Sequence, residues 1–195
     1  IGKNDLKPVI FDHKNSTLID AIGMMKIGCT VTHIGDGLAV TAGHCFRLAK
    51  QKKIYKNIDC NFATYSIVWG YTKNRLENNL KSICKKIIIA EYNSKKDYAL
   101  FLVSPKPLGK VVLSNKKSIK KNQIIQIYSH PKRRPLEWSG WCFVDKIQSK
   151  IHSKNQFTYT CDTEAGSSGA AILDKENKII GIHNHYIKTN NINGG

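Results

Sequence analysis

The chain has 195 residues, of which 41% are hydrophobic and 23% are charged, a composition that excludes a disordered chain and indicates a folded globular protein. No apolar stretch approaches the ~20 residues that a membrane-spanning helix needs, so no membrane span is expected. Lysine and arginine outnumber aspartate and glutamate by 31 to 14, which gives a net charge of +17. A charge of this sign attracts anions. The sequence contains no nucleic-acid-binding motif, so no specific nucleic-acid partner is expected.

Short apolar or alternating runs, rich in β-branched and aromatic residues, follow one another along the chain and are separated by polar turns, which is the pattern of β-strands. Ten strands are predicted, at 28–33, 37–41, 63–71, 86–92, 98–103, 123–129, 141–147, 156–161, 170–174 and 178–183. Helical periodicity is limited to short pieces around 44–50 and 76–82. Many short strands at regular spacing predict an all-β sandwich or barrel.

Residues 104–122 form the least regular stretch of the chain, with two prolines and a run of lysines. They divide the predicted strands into two groups of similar size. Because domain boundaries fall in such polar, proline-containing segments, the sequence predicts two β domains, 1–107 and 108–195.

The six cysteines form no C-x-x-C pair, and the histidine spacing does not resemble a structural zinc site, so neither a metal nor a cofactor is expected. Many pairings are possible, but each adjacent pair brackets one hairpin-sized segment. The simplest set is therefore Cys29–Cys45, Cys60–Cys84 and Cys142–Cys161. If these bonds form, the protein works in an oxidising compartment, which predicts a secreted or periplasmic location.

Three segments carry residues suited to nucleophilic catalysis: TAGHC, DYALF and GSSGAA, which begin at residues 41, 97 and 166. A serine hydroxyl attacks only when a base takes its proton, and an imidazole oriented by a carboxylate suits that role. His44, Asp97 and a serine at 167 or 168 supply these groups in the order His, Asp, Ser. That order is found on two-barrel β proteases, whereas subtilisin and α/β-hydrolase scaffolds use other orders.

The three segments resemble the His, Asp and Ser segments of the chymotrypsin-fold serine peptidases, above all those of the bacterial glutamyl endopeptidase (V8-like) branch. The opening IGKND also resembles the mature N-terminus of that branch. The resemblance implies two packed antiparallel β-barrels of the chymotrypsin type, the first with His44 and Asp97, the second with Ser168, and a cleft between them. It also implies a secreted serine endopeptidase made as a zymogen, with a Cys29–Cys45 disulfide beside the catalytic histidine.

The family's G-x-S-G pattern identifies Ser168 as the nucleophile and implies that the backbone N–H groups of Gly166 and Ser168 form the oxyanion hole. Ser167 then stands directly before the nucleophile, where trypsin-like enzymes have an aspartate that pairs with the new N-terminal ammonium. A serine cannot form that ion pair. The resemblance therefore implies a different role for Ile1.

The same resemblance implies a specificity pocket formed by Thr163, five residues before Ser168, and His183, fifteen residues after it. A hydroxyl and an imidazole can bind either a carboxylate or an amide, and viral 3C-like proteases use such a pair to bind glutamine. In glutamyl endopeptidases the N-terminal ammonium, here that of Ile1, adds positive charge. Together with the net charge of +17, this favours glutamate before the cleaved bond, then aspartate, with glutamine as a rival.

The sequence is therefore interpreted as a monomeric serine endopeptidase acting on protein or peptide substrates that are acidic at the cleavage site. Two alternatives stay open, a 3C-like processing protease that cuts after glutamine and a cationic, non-catalytic binding protein on a protease scaffold. The complete His-Asp-Ser set argues against the second alternative. The segment HPKRRP, residues 130–135, is interpreted as an exposed basic loop in reach of the substrate.

Overall fold

The computed structural model describes residues 4–46, 54–60, 63–93, 95–116, 118–147, 156–187 and 192–194. This part of the chain contains one short α-helix, α1 (Ser16–Asp20), and is otherwise built from β-strands and turns. The strands are β1 (Lys7–Pro8), β2 (Ile22–Met25), β3 (Thr30–Gly35), β4 (Leu38–Thr41), β5 (Ile54–Asp59), β6 (Ser66–Trp69), β7 (Lys81–Tyr92), β8 (Asp97–Ser104), β9 (Ile124–Ser129), β10 (Glu137–Trp138), β11 (Cys142–Ile147), β12 (Phe157–Tyr159), β13 (Ala171–Asp174), β14 (Ile179–Ile182), β15 (His185–Ile187) and β16 (Ile192–Gly194).

The first sheet contains β2 to β8 in the order β5-β7-β6-β2-β3-β4-β8. The first three residues of the long strand β7 pair with β6, and its residues 83–92 pair with β8, so β7, β6, β2, β3, β4 and β8 close into a six-stranded barrel. Alternate side chains point inward, and Ile67, Trp69, Ile87 and Phe101 fill the centre of this barrel. Closure leaves only β5 outside the ring.

The second sheet follows the order β1-β10-β9-β11-β12-β16-β15, and β13 joins it by pairing with both β9 and β14. Its core contains Ile125, Val144, Tyr159 and Ile172. Strand β1 comes from the start of the chain and pairs with β10, so the amino-terminal segment lies on the second sheet. All pairings between named strands are antiparallel in both sheets, and the all-β prediction is confirmed.

Two apolar clusters join the sheets. One contains Val40 of β4 packed with Ala171 and Leu173 of β13, and the other contains Ile22 of β2 packed with Leu136, which precedes β10. These contacts bury side chains from both halves of the chain in a common core. The boundary predicted near residue 107 lies between β8 and β9, and the division into domains 1–107 and 108–195 stays a prediction.

All ten predicted strands are confirmed, with shifts of a few residues at their ends; the prediction at 86–92 is the second half of β7, which starts at Lys81. The helix predicted at 76–82 is wrong, because Asn78 adopts a left-handed conformation with φ 59° and Lys81 already belongs to β7. At 44–50 the described part is a single 3-10 turn, Gly43–Cys45, and residues 47–50 lie outside the described residues.

The three disulfides of the simplest set are all present, Cys29–Cys45, Cys60–Cys84 and Cys142–Cys161. The first ties the turn of His44 to the residue before β3, the second ties the residue after β5 to β7, and the third cross-links the second sheet. Among the residues that the structure describes, no helix is both long enough and apolar enough to cross a membrane.

Candidate active site

His44 lies in the 3-10 turn Gly43–Cys45, directly after β4. No side chain fits at Gly43, because a Cβ there would lie 2.0 Å from the carbonyl oxygen of Glu91. The turn therefore packs directly on the backbone of β7. The Cys29–Cys45 disulfide ties the other side of the turn to the start of β3, so His44 is held from both sides.

Asp97, the first residue of β8, binds His44 through both of its carboxylate oxygens. Oδ2 lies 2.7 Å from Nδ1 of the imidazole, and Oδ1 accepts the backbone N–H of His44 at 2.9 Å. Because an ionised carboxylate only accepts hydrogen bonds, the proton of a neutral imidazole must lie on Nδ1, and Nε2 is left as the basic nitrogen. The side chains of His44 and Asp97 are 16% and 10% exposed, so solvent reaches the pair only partly.

Asp97 also lies at the junction of the two sheets. A cavity of about 670 Å³ is lined by Asp97 and Tyr98 from β8 and by residues 179–182 of β14. Strands of both sheets therefore meet beside the Asp97–His44 pair, where a site formed from both halves of the chain can assemble.

Ser168 lies in the segment between β12 and β13. We call residues 162–169 the nucleophile loop, after the nucleophile predicted at Ser168. The carbonyl oxygen of Ser168 accepts the N–H of Thr30 at 2.9 Å. At Gly169, φ is +85° and a Cβ would lie 2.9 Å from the backbone nitrogen of Ala42. These contacts hold the turn at Ser168 against the first barrel. One of the contacted residues, Ala42, is two residues before His44 in the chain.

Gly166 has the left-handed φ of +101° that glycine adopts readily and other residues avoid. A Cβ at this position would lie 2.6 Å from the carbonyl oxygen of His130 and 2.9 Å from the backbone nitrogen of Lys132. The nucleophile loop therefore rests directly on residues 130–134, which we call the basic loop. A substitution at Gly166 would change the direction of its backbone and separate the two loops.

Ser167 points into the protein and is completely buried. Its Oγ is hydrogen-bonded to Oγ of Ser129 at 2.9 Å and accepts the N–H of Glu164 at 3.3 Å. The residue before Ser168 therefore stabilises the nucleophile loop through neutral hydrogen bonds.

His183 follows β14 and is buried. Its carbonyl oxygen accepts the N–H of Gly169 at 2.7 Å, which places it beside the turn at Ser168. Its Nδ1 is hydrogen-bonded to the hydroxyl of Tyr159. Burial, with smaller contributions from the imidazoles of His185 and His44, lowers the pKa of His183 to about 3, so this imidazole is neutral at physiological pH.

Thr163 is half-buried in the nucleophile loop, next to Asp162. The carboxylate of Asp162 accepts the backbone N–H of Asp5 at 2.9 Å. The start of the described chain therefore reaches the residue before Thr163. Ile1, predicted to take part in substrate binding, lies outside the described residues.

The basic loop is only partly exposed, so the expectation for residues 130–135 needs correction. Lys132 and Arg133 face solvent, but His130 and Pro131 are buried. The backbone N–H of His130 donates to Oγ1 of Thr30 at 3.0 Å. Burial lowers the pKa of His130 to about 4, so it adds no positive charge at neutral pH. His130 packs against Gly166 of the nucleophile loop.

One group of possible metal ligands is found in the described part of the chain. Cys29, His44 and Cys45 each place one ligand atom within 4.8 Å of the others. The two sulfurs are joined in a disulfide, and cysteine binds metals as a thiolate. In this oxidised form the group therefore cannot provide thiolate ligands.

Three side chains beside these residues were not predicted from the sequence. The ring of Tyr92 packs edge-on to the His44 imidazole at 5.8 Å between centroids, Tyr159 contacts His183, and Glu164 forms ion pairs with the basic loop. Each contact joins residues that are at least 24 positions apart in the chain. No local motif marks any of the three.

A family model of the trypsin-like peptidase domain matches residues 29–182, which include His44, Asp97 and Ser168. The match covers most of the chain, and the protein therefore belongs to the trypsin-like peptidase family, whose substrates are peptides or proteins.

Solved structures of other proteins share the fold. A Glu endopeptidase in complex with MPD superimposes with a TM-score of 0.76 and 21% identity, covering 100% of this chain and 91% of the other. An inactive serine-to-alanine mutant of Rv3671c from M. tuberculosis superimposes with a TM-score of 0.64 and 11% identity, covering 97% and 89%. The predicted chymotrypsin-type fold is confirmed. No curated protein matches the sequence significantly.

Proposed function

We propose that this chain is a serine endopeptidase in which Ser168 is the nucleophile, His44 the general base and Asp97 the group that orients His44. The observation that carries the proposal is the double hydrogen bond between Asp97 and His44, at 2.7 and 2.9 Å. It fixes both the tautomer and the direction of the imidazole. The turn at Ser168 packs on the strand that leads to His44, which supports the assignment of the third member.

In the proposed reaction, Nε2 of His44 takes the proton of the Ser168 hydroxyl while Oγ attacks the carbonyl carbon of the scissile bond. The negative charge that develops on the carbonyl oxygen is stabilised by the backbone N–H groups of Gly166 and Ser168. His44 then gives its proton to the leaving amine, and the C–N bond breaks to leave an acyl-enzyme. Water, activated by His44, hydrolyses the ester and restores Ser168.

We propose glutamate as the preferred residue before the cleaved bond, then aspartate, with Thr163, His183 and Ile1 forming the pocket. The net charge of +17 attracts acidic substrates. The hydrogen bond between Asp5 and Asp162 brings the amino-terminal segment beside Thr163. Ile1 is four positions before Asp5, a separation that the backbone spans with at most ~14 Å. A Glu endopeptidase is among the solved structures that share this fold.

One observation favours the second candidate, a 3C-like protease that cuts after glutamine. His183 is neutral because burial keeps its pKa at about 3, and its Nδ1 is bonded to Tyr159. A neutral imidazole can hydrogen-bond an uncharged amide without leaving a charge unpaired in the pocket. The positive charge of the Ile1 ammonium therefore decides whether glutamate or glutamine is preferred before the cleaved bond.

We further propose that the protein works outside the cytoplasm, in a secreted or periplasmic location, as a monomer. Its three disulfides persist in oxidising compartments. Repulsion between two chains of charge +17 opposes self-association.

Peptides that differ only in the residue before the cleaved bond test this function. With Glu, Asp, Gln, Lys and Leu at that position, kcat/KM should be highest for Glu, second for Asp, and Ser168→Ala should lower it at least ~10³-fold for every peptide. A preference for Gln would establish the 3C-like alternative. No cleavage by wild type would favour the non-catalytic binding protein, and an unaffected Ser168→Ala variant would exclude Ser168 as the nucleophile.

A further inference from the structure

Glu164 carries a carboxylate that reaches from the nucleophile loop to the basic loop. Its Oε1 lies 2.7 Å from Nζ of Lys132, and its Oε2 is bonded to Nη2 of Arg134. The Glu164 side chain is 20% exposed, compared with 62% for Lys132 and 37% for Arg134. Hydrogen bonds from Lys132 and Arg134 lower the pKa of Glu164 below its usual range, so the pair is ionised at neutral pH.

Arg134 is itself fixed in direction by a second carboxylate. Its Nε and Nη2 donate to the two oxygens of Glu137 at 2.8 and 2.9 Å. This fork-like geometry leaves little freedom in the guanidinium plane. The Arg134 that binds Glu164 is therefore a rigid partner, unlike the more exposed Lys132.

Backbone contacts join the same two loops. The N–H of Lys132 donates to the carbonyl oxygen of Ala165 at 2.5 Å. Oγ1 of Thr30 accepts the N–H of His130 and donates to the carbonyl oxygen of Gly166 at 2.9 Å. The peptide groups on both sides of Gly166, which set the direction of its N–H, therefore depend on where the basic loop lies.

The basic loop does not hold this shape by its own preferences. Lys132 and Arg133 have φ angles of 50° and 61°, and two consecutive non-glycine residues in the left-handed region are costly. Such a conformation persists only when surrounding contacts impose it. The ion pairs from Glu164 are side-chain contacts that can do so.

We infer that Glu164 is a positioning residue for the proposed oxyanion hole, acting through Arg134 and Lys132 to hold the basic loop under Gly166. This inference rests on the proposed function. Without the charge on Glu164, the basic loop relaxes and the Gly166 N–H loses its direction toward the developing oxyanion. Since that N–H acts most strongly in the transition state, its misalignment lowers kcat with little change in KM.

The test compares Glu164→Gln with Glu176→Gln, using the preferred peptide. Glu176 is a matched control, because it also pairs with two lysines, Lys116 and Lys178, but on the turn between β13 and β14. Loss of one oxyanion donor costs roughly 10²–10³ in kcat, so we expect partial misalignment in Glu164→Gln to lower kcat about tenfold with KM within about twofold. Glu176→Gln should keep the wild-type kcat, and both variants should have similar Tm values.

A double-mutant cycle of Glu164→Gln and Arg134→Met tests whether Glu164 acts through Arg134. If Glu164 acts through Arg134, the double variant should lose no more kcat than the stronger single variant. Additive losses, an unchanged kcat in Glu164→Gln, or a raised KM with unchanged kcat would each overturn the inference. If Glu164→Gln does not fold, Lys132→Met and Arg134→Met carry the same test. Inactivity of wild type on every peptide is a different result, which refutes the proposed function itself.

Discussion

At the scale of single residues, the buried histidines show how position determines charge. His183 and His130 are both buried, and burial lowers their pKa values to about 3 and about 4. His33 is buried too, and desolvation lowers its pKa as well. All three are therefore neutral above pH 6.5, and the positive surface of the protein comes from lysine and arginine.

These shifts predict acid sensitivity of the fold. In the unfolded chain an imidazole takes up a proton near pH 6.5, whereas folded His130 does so only near pH 4. The contribution of a group with a depressed pKa is present above the unfolded value and is lost as the pH falls toward the folded value. Proton uptake by His130 should therefore make the free energy of unfolding about 3 kcal/mol lower at pH 4 than at pH 7.5.

Denaturant unfolding at pH 7.5, 6, 5 and 4 measures this dependence. His130→Gln should lose less stability between pH 7.5 and pH 4 than wild type does. His13→Gln is the control, since His13 is exposed, and it should follow the wild-type curve. Parallel pH curves for wild type and His130→Gln would contradict the prediction.

The residues of the candidate site fall into two groups: those that sequence motifs predict and those that only the folded structure reveals. His44, Asp97 and Ser168 stand in short motifs whose order in the chain already indicates the chemistry. Tyr159 and Glu164 have no such motif, because each matters through a partner that only folding brings near. The reacting groups can therefore be proposed from the sequence, whereas Tyr159 and Glu164 become apparent only in the folded structure.

At the level of secondary-structure elements, the strands with long alternating runs were predictable. The strands that were missed are short, exposed or interrupted by glycine. Strands β1 and β10 have two residues each and exist only because they pair with each other and with β9. Strand β5 has mostly exposed side chains, so no apolar period marks it. In β2, Gly23 has no side chain, so Ile67 and Trp69 approach its backbone closely. The sequence pattern of β2 therefore lacks an apolar side chain at this position.

The disulfides give a prediction at this scale, because two of them lie in the first half of the chain and close loops of similar length. Cys29–Cys45 and Cys60–Cys84 span 16 and 24 residues, and loops of this size each stabilise a fold by about 3 kcal/mol. Removing either pair by double alanine substitution should lower the free energy of unfolding by a similar amount.

Their effects on catalysis should differ. Cys45 belongs to the turn of His44, so Cys29→Ala/Cys45→Ala should lower kcat as well as stability. Cys60→Ala/Cys84→Ala should keep the wild-type kcat at a temperature where both variants are folded. Equal losses of kcat in the two variants would show that the Cys29–Cys45 bond has no special part in holding His44.

At the scale of the whole molecule, the two sheets bring together groups that are far apart in the sequence. His44 and Asp97 belong to the first barrel, Ser168 and His183 to the second sheet, and apolar clusters bury residues from both. Composition and strand spacing predict an all-β chain in two parts. The packing of the two parts follows from contacts such as Val40 on Leu173, which no local pattern encodes.

In the proposed mechanism, Ser168 is activated by His44 and attacks the substrate. A fluorophosphonate reagent, which reacts covalently with an activated serine, followed by peptide mapping by mass spectrometry tests it most directly. Wild type should be labelled on Ser168, Ser167→Ala should still be labelled there, and Ser168→Ala and His44→Ala should not react. Absence of label from folded wild type, or label on another residue that persists in Ser168→Ala, would contradict the account.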